Sequence, residues 1–352
     1  MDVLGNRALN RALMARQLLD ERRARPAVEA VAQLIGIQAQ EPQEPYIGLW
    51  SRLDGFRPAE LVGLLESRQV VRTLLMRRTM HLVTAADCLE LRGLHQPMLE
   101  ARIRAVYRRD LEGVDLDELA AAGEPHFARA PSTLPEVGRA VGGRWPSVPA
   151  RVLGDTLSSL VPLVQVPPRG VWGQVAPARN TTIAAWLGRP VPPPCVADDL
   201  VLRYLRAFGP ASSADIRAWS GLSGLRESIK RLRPRLRSFR DVRGRELLDV
   251  LDGPLPDPDQ PLPPRFLPAF DNVVLGFDDR SRVIDNAHRG LSVEGARFVL
   301  VDGRVAGRWT ISDDTLRVTM FFPVDLDPVV AEGDNLLAWH GIAGRTVIDV
   351  RE

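Results

Sequence analysis

Residues 36–40 read Gly-Ile-Gln-Ala-Gln, which places Gln38 and Gln40 two apart, with Glu41 and Glu44 following across the break Glu-Pro-Gln-Glu-Pro. On a helix, positions two apart do not share a face; in an extended or terminal segment they do. A carboxamide is neither acid nor base near neutral pH. It carries donors and an acceptor, so it can orient a water and contact a substrate edge. The same pair also suits a solvated helix end.

A neutral pair can serve a cleavage whose leaving group is already activated. Alkylation of guanine at N7 puts positive charge on the base and makes it a good leaving group. Its hydrolysis then needs a placed water and stabilisation of a cationic, sugar-centred transition state. Two amides with a carboxylate nearby would suffice, and this mechanism calls for no cofactor.

Composition narrows the alternatives. The chain has 352 residues, enough for two to four compact units. No apolar run approaches the roughly 18 residues that span a bilayer. The segment MDVLGNRALNRALMARQ lacks the apolar centre of a signal peptide, so the expected compartment is the cytoplasm. Cys88 and Cys195 are far apart and the five histidines are scattered, so no metal site is expected. Net charge is only +2, yet of 46 basic residues Lys230 is the single lysine. GC-rich coding would produce this bias. Whatever its origin, arginine supplies planar forks suited to phosphate oxygens. Schiff-base chemistry, which needs a lysine amine, is disfavoured.

The elements that must position the glutamines follow from periodicity. Residues 6–23 and 27–38 read as helices, the second ending at the glutamine pair. Residues 46–53 and 57–69 read as two more. VVRTLLMRRTMHLV reads as a strand pair or wing. Thr84 with Asp87 caps a new helix, and 115–122, 133–141 and 149–160 are helical. LVQVPP and VWGQVAP then resemble a second wing. After the proline-rich 189–195, three more helical patterns lead to the strands LRSFRDV and ELLDVLD. A stiff linker, 252–266, precedes a β-rich end with a hairpin at Asp302-Gly303. The expected fold is α+β and mainly helical. It comprises three tandem winged helix–turn–helix units (1–84, 85–188, 195–252) and a small C-terminal α+β unit (265–352).

Four stretches, GIQAQ, MRRTMHLV, LPAFDNVVLGFDDRSRVI and VDGRVAGRW, occur in this order. Together they resemble the winged-helix bacterial DNA glycosylases typified by AlkZ and YcaQ. The resemblance implies that Gln38 and Gln40 are the catalytic glutamines, on the DNA-facing side of the first winged helix. It implies excision of N7-alkylguanine and related cationic lesions from double-stranded DNA, extending to interstrand crosslinks in some members. Glutamine rather than aspartate at position 40 resembles the AlkZ type, which is tied to self-resistance against DNA-alkylating natural products. A probing hairpin in the C-terminal unit and a monomeric state are further expectations.

Other residues have two readings each. His81, between Met80 and Leu82, is a DNA contact or a structural histidine. Arg77 and Arg78 alternate faces, so one reaches phosphate and the other solvent. Arg280 and Arg282 share a face if extended and would then contact phosphates. His288 and Arg289 occupy a polar loop that suits a DNA-probing element. Asp271, Asp278 and Asp279 are site acids or caps, and Trp172, Trp186, Trp219 and Trp309 suit a core. The rivals to a monofunctional glycosylase are a non-catalytic winged-helix transcription regulator and a drug-sequestering protein. The arginine content makes one expectation measurable. DNA affinity falls steeply between 50 and 200 mM salt, by about 10³-fold or more if six or more phosphates are neutralised. A flat salt response would make arginine a compositional bias only.

Overall fold

The computed structural model describes residues 2–194 and 196–350; Cys195 lies outside the described residues. A short strand, β1 (Val3–Leu4), and helix α1 (Asn6–Arg16) open the chain. Helix α2 (Ala27–Gln33) turns into strand β2 (Ile37–Gln38). Helices α3 (Glu44–Trp50) and α4 (Pro58–Glu66) lead to the hairpin of β3 (Val70–Leu74) and β4 (Met80–Thr84). A second set follows: α5 (Ala85–Val106), α6 (Leu116–Arg129), β5 (Ser132–Thr133), α7 (Leu134–Val141) and α8 (Ala150–Leu160). Strands β6 (Leu163–Gln165) and β7 (Arg179–Thr182) and helix α9 (Ile183–Leu187) close it. The third set is α10 (Asp198–Phe208), α11 (Ser213–Ser220) and α12 (Leu225–Leu232), with strands β8 (Leu236–Asp241) and β9 (Glu246–Val250). The last part contains β10 (Arg265–Phe266), α13 (Asn272–Leu275), β11 (Arg297–Val301), β12 (Arg304–Ser312), β13 (Thr315–Met320), α14 (Asp327–His340) and β14 (Arg345–Val350).

The mixed α+β composition agrees with the sequence reading, but several boundaries move. The first helix stops at Arg16 rather than 23, because Leu18 takes φ +58°, outside the helical region. The second stops at Gln33 rather than 38, because Ile35 (φ +55°) and Gly36 (φ +90°) reverse the chain. Gln38 therefore lies on a strand and Gln40 in the bend that follows it, not on a helix end. VWGQVAP is a loop, and the partner of β6 is the polar Arg-Asn-Thr-Thr stretch of β7. The hairpin at Asp302 (φ +47°) and Gly303 (φ +77°) forms as expected, with Val301 opposite Arg304.

The described residues form three sheets. One carries the order β2-β4-β3-β6-β7-β5 and is antiparallel throughout. It runs without a break through the strands of the first two helix sets, past residue 84. The second sheet, β1-β8-β9, brings the N-terminal strand onto the third set, and the third is β10-β11-β12-β13-β14. The linker is strapped to α1: Arg16 donates to Pro254 O and Arg11 to Gln260 O. No helix among the described residues is long and apolar enough to cross a membrane.

The six-stranded sheet separates two large cores. One holds Tyr204, Phe208, Trp219 and Phe277; the other holds Tyr46, Phe266 and Trp309. Trp219 and Trp309 are thus core residues, whereas Trp172 and Trp186 are half-buried. Helix α5 lies against the β3–β4 hairpin; His81 of β4 and His95 of α5 itself are both buried. Burial holds the His81 ring down to about 3 and the His95 ring down to about 4. Both are neutral in the folded protein at pH 7. In the unfolded chain they titrate near the ordinary value of about 6.5. Below that pH the unfolded chain binds more protons, so stability falls as pH drops from about 6.5 toward about 4. Each ring removes on the order of 2 kcal/mol by pH 5. Urea midpoints at pH 7 and pH 5 check this; equal midpoints would show that neither ring promotes acid unfolding.

Candidate active site

The glutamine segment is shaped by the turn before it. Gly36 lies at φ +90°, and a Cβ there would sit 2.5 Å from Val83 Cγ1 and 2.9 Å from Leu82 O. Only glycine fits without displacement. Strand β2 then pairs with β4, Ile37 opposite Leu82 and Gln38 opposite His81. Ala39 extends the ladder by donating its N–H to Met80 O at 2.8 Å. The Ala39 side chain is fully buried in the second core, and the glutamines alternate with it. Gln38 is 5% exposed, and Gln40 is open to solvent.

Both carboxamides are oriented by groups that can only donate. Gln38 Oε1 accepts from Arg77 Nη2 at 2.9 Å, and Gln40 Oε1 accepts from the Met80 N–H at 3.2 Å. An arginine and a backbone amide have no acceptor to offer, so the oxygen assignment follows from chemistry. Each Nε2 is left without a partner among the described residues. The pair therefore presents donors.

The hairpin turn supplies the arginines. Arg77 (φ +58°) and Arg78 (φ +61°) are consecutive left-handed residues, a conformation that costs about 1–2 kcal/mol per non-glycine residue. It sends the two guanidiniums apart. Arg77 also donates to Trp219 O at 2.7 Å and reaches Asn272 Oδ1 at 3.5 Å. Burial, with Arg280 and Arg102 nearby, pushes Arg77 down to about 10, so it stays charged at neutral pH. Arg78 donates to Ser159 Oγ at 3.0 Å and pairs with Asp155 at 2.8 Å.

Behind the glutamines, buried Arg72 donates to Ala39 O at 2.8 Å. The Leu-Pro-Ala-Phe-Asp-Asn segment (267–272) is clamped to α3 and the glutamine turn. Buried Glu44 accepts from the Ala269 N–H at 2.6 Å and pairs with Arg297. Asp271 pairs with Arg52 at 2.8 Å and caps α13 through the Val273 N–H. Asn272 Nδ2 donates to Gly36 O at 3.4 Å. Asp271 is thus a clamp, and Asp279 is engaged by Arg245 at 2.7 Å. Arg72 and Asn272 were missed in the sequence; the one visible signal was an arginine inside the apolar run VVRTLL.

Not every candidate DNA contact is at the surface. His81 is 0% exposed. Its Nδ1 bonds Thr79 O at 3.0 Å, and its ring packs under the sheet, so it is structural. Arg280 and Arg282 sit in a turn rather than a strand and do not share a face. Arg282 is buried, donating to Pro210 O at 2.8 Å with its guanidinium over the Phe277 ring, which removes it as a phosphate contact. Arg280 is half-buried and donates to Ser292 Oγ at 2.7 Å. His288 stacks on Phe321 with centroids 3.9 Å apart, while Arg289 is exposed. His288 and Arg289 lie on a 3-10 turn, Asn286–Ser292. Beside Glu41 and Glu44 a cavity of about 690 Å³ opens, lined by Arg297, Arg308, Thr310 and Arg317. The half-buried Arg308 has no acidic partner among the described residues. No cluster of three or more His, Cys, Asp or Glu suited to a metal occurs among the described residues.

Three comparisons bear on this arrangement. The profile of the family described as DNA glycosylase AlkZ-like matches residues 31–339. The structure is similar to that of the Streptomyces sahachiroi DNA glycosylase AlkZ, with TM-score 0.83 and 23% identity over 99% of this chain and 100% of that one. This likeness establishes a shared fold. No curated protein sequence matches. The geometry of the turn sets one expectation: Gly36→Ala destabilises the protein by roughly 2–4 kcal/mol, from overpacking and a left-handed alanine. A urea midpoint equal to that of the wild type would show that the turn relaxes freely.

Proposed function

This chain belongs to the AlkZ-like family of DNA glycosylases, and we propose that it hydrolyses the N-glycosidic bond of N7-alkylguanine and related cationic lesions in double-stranded DNA. The observation that carries this reading is the orientation of Gln38 and Gln40. Their oxygens are occupied and their nitrogens free, so each holds its target through an acceptor atom. Guanine O6 and N3 and the oxygen of a water are such atoms.

In the reaction, the C1′–N9 bond breaks and its electron pair goes to N9. The cationic base leaves as neutral 7-alkylguanine, which is why amides suffice where an acid would otherwise be needed. A water oxygen bonds C1′ and gives up a proton to solvent. Glu41, exposed beside Gln40 on the rim of the larger cavity, is the carboxylate in position to face a cationic sugar. The single lysine, Lys230, is exposed on α12, which supports hydrolysis without a Schiff base, hence a monofunctional enzyme.

Phosphates are held, on this reading, by exposed or half-exposed arginines, Arg289, Arg308 and Arg317, whereas Arg78 is engaged by Asp155. They position the duplex without reading its sequence. Residues 1–84, 85–188 and 195–252 act as winged-helix units, a reading supported by the β pair that closes each set. Residues 265–352 complete the groove as a monomer's fourth unit. Gln40 also supports a role in unhooking interstrand crosslinks and in self-resistance to a DNA-alkylating natural product.

The test is base release from a duplex carrying N7-methyl-2′-deoxyguanosine. Gln38→Ala should lose about 10²-fold in rate, as when one positioned donor is removed, with DNA affinity unchanged. Equal rates would remove Gln38 from the mechanism. Tight DNA binding with no release from methylated or bulky adducts would favour a non-catalytic DNA binder.

A further inference from the structure

A smaller cavity of about 210 Å³ lies on the other side of Gln40. The β3–β4 hairpin gives it Leu74 and Met80, strand β6 gives Leu163, and the start of α7 gives Leu134. Its charged groups are already spent. Asp155 pairs with Arg78 at 2.8 Å and accepts from Tyr107 Oη at 2.9 Å. What remains is neutral. Gln165 Oε1 is buried and has no hydrogen-bond partner. Asn180 Nδ2 donates to Ala178 O at 3.2 Å, which leaves Asn180 Oδ1 to accept. Gln40 Oε1 is taken by Met80, which leaves Nε2 to donate.

A buried acceptor left unmet is costly, so an occupant should bring a donor to Gln165. A slot with free carboxamide donors on Gln40 and Gln165 and free acceptors on Gln165 and Asn180 can meet the edge of guanine. Its O6 accepts, while N1–H and the 2-amino group donate. The adenine edge offers the reverse pattern at its 6-position. The volume is below that of sites for drug-sized ligands, about 300–1,000 Å³, and suits one bicyclic base rather than a nucleotide.

The geometry points to this cavity as the seat of the alkylated guanine itself, turned out of the duplex and held through Gln165, Asn180 and Gln40. This rests on the glycosylase reading above and adds to it an everted base with a guanine-specific edge. Eversion costs stacking, which is least for a damaged pair. A seat that satisfies Gln165 offsets part of that cost.

The experiment is equilibrium dialysis of the full chain with free 7-methylguanine, run beside base release from methylated duplex. The wild type should bind 7-methylguanine. It should bind 1,7-dimethylguanine, which lacks the N1–H, at least tenfold more weakly. Gln165→Leu should lose the same tenfold for 7-methylguanine and release base more slowly. The pair of free bases needs no variant, so a misfolded Gln165→Leu leaves the comparison intact. Equal binding of the two bases, or none, overturns the seat. If base release persists alongside that result, the glycosylase reading stands without eversion. Selective base binding with no release from any adducted duplex supports the seat and removes the hydrolysis.

Discussion

The Arg77 guanidinium spans three partners that come from different parts of the chain. It holds the oxygen of Gln38, the carbonyl of Trp219 at the end of α11, and approaches Asn272 at the start of α13. The contact exists because the hairpin turn places two successive residues in the left-handed region, at a cost that the surrounding packing overcomes. Without that turn, Arg77 and Arg78 would follow ordinary strand alternation, and the Gln38 carboxamide would lose its partner. The orientation of the candidate site is therefore a property of a backbone turn more than of the glutamines.

Around it, buried ion pairs act as locators. Arg52–Asp271 and Arg297–Glu44 each join α3 and its surroundings to the segment 267–272 or the strand after it. Pairs of this kind return little net stability once desolvation is counted. Their geometry is specific, however, because bidentate forks tolerate little displacement. Hydrogen bonds to Ala269 and Gly36 then set the register of two segments more than 200 residues apart.

The parts of this arrangement written in local chemistry were readable in the sequence. Apolar, β-branched runs announced the β3–β4 hairpin; Asp302-Gly303 announced the turn between β11 and β12; Thr84 announced the cap of α5 through the Asp87 N–H. The glutamine pair and its neighbours were recognisable as a motif. What was not readable depended on partners distant in sequence. Helical periodicity ran on through Ile35 and Gly36, because nothing local marks their left-handed turn as the end of α2. His81 sits in an alternating strand, and only α5 packing over it decides that it is buried. Arg282 looked like a strand residue facing outward, and only the loop at Pro210 and the Phe277 ring turn it inward. Strand β7 was missed because Arg-Asn-Thr-Thr carries no apolar alternation; its pairing with β6 supplies the evidence.

The continuous six-stranded sheet has a mechanical meaning. Strand pairing between β3 and β6 ties the hairpin that orients both glutamines to the wall that bears Gln165. A hinge between the first two helix sets would have to break that ladder. On the proposed function, the protein side of the groove is in this sense a rigid last, and the work of fitting would fall on the duplex. Lesions that loosen stacking or pairing would then present themselves more readily than intact DNA, so that discrimination would begin with the pliability of the damaged strand before any atom of the lesion is touched.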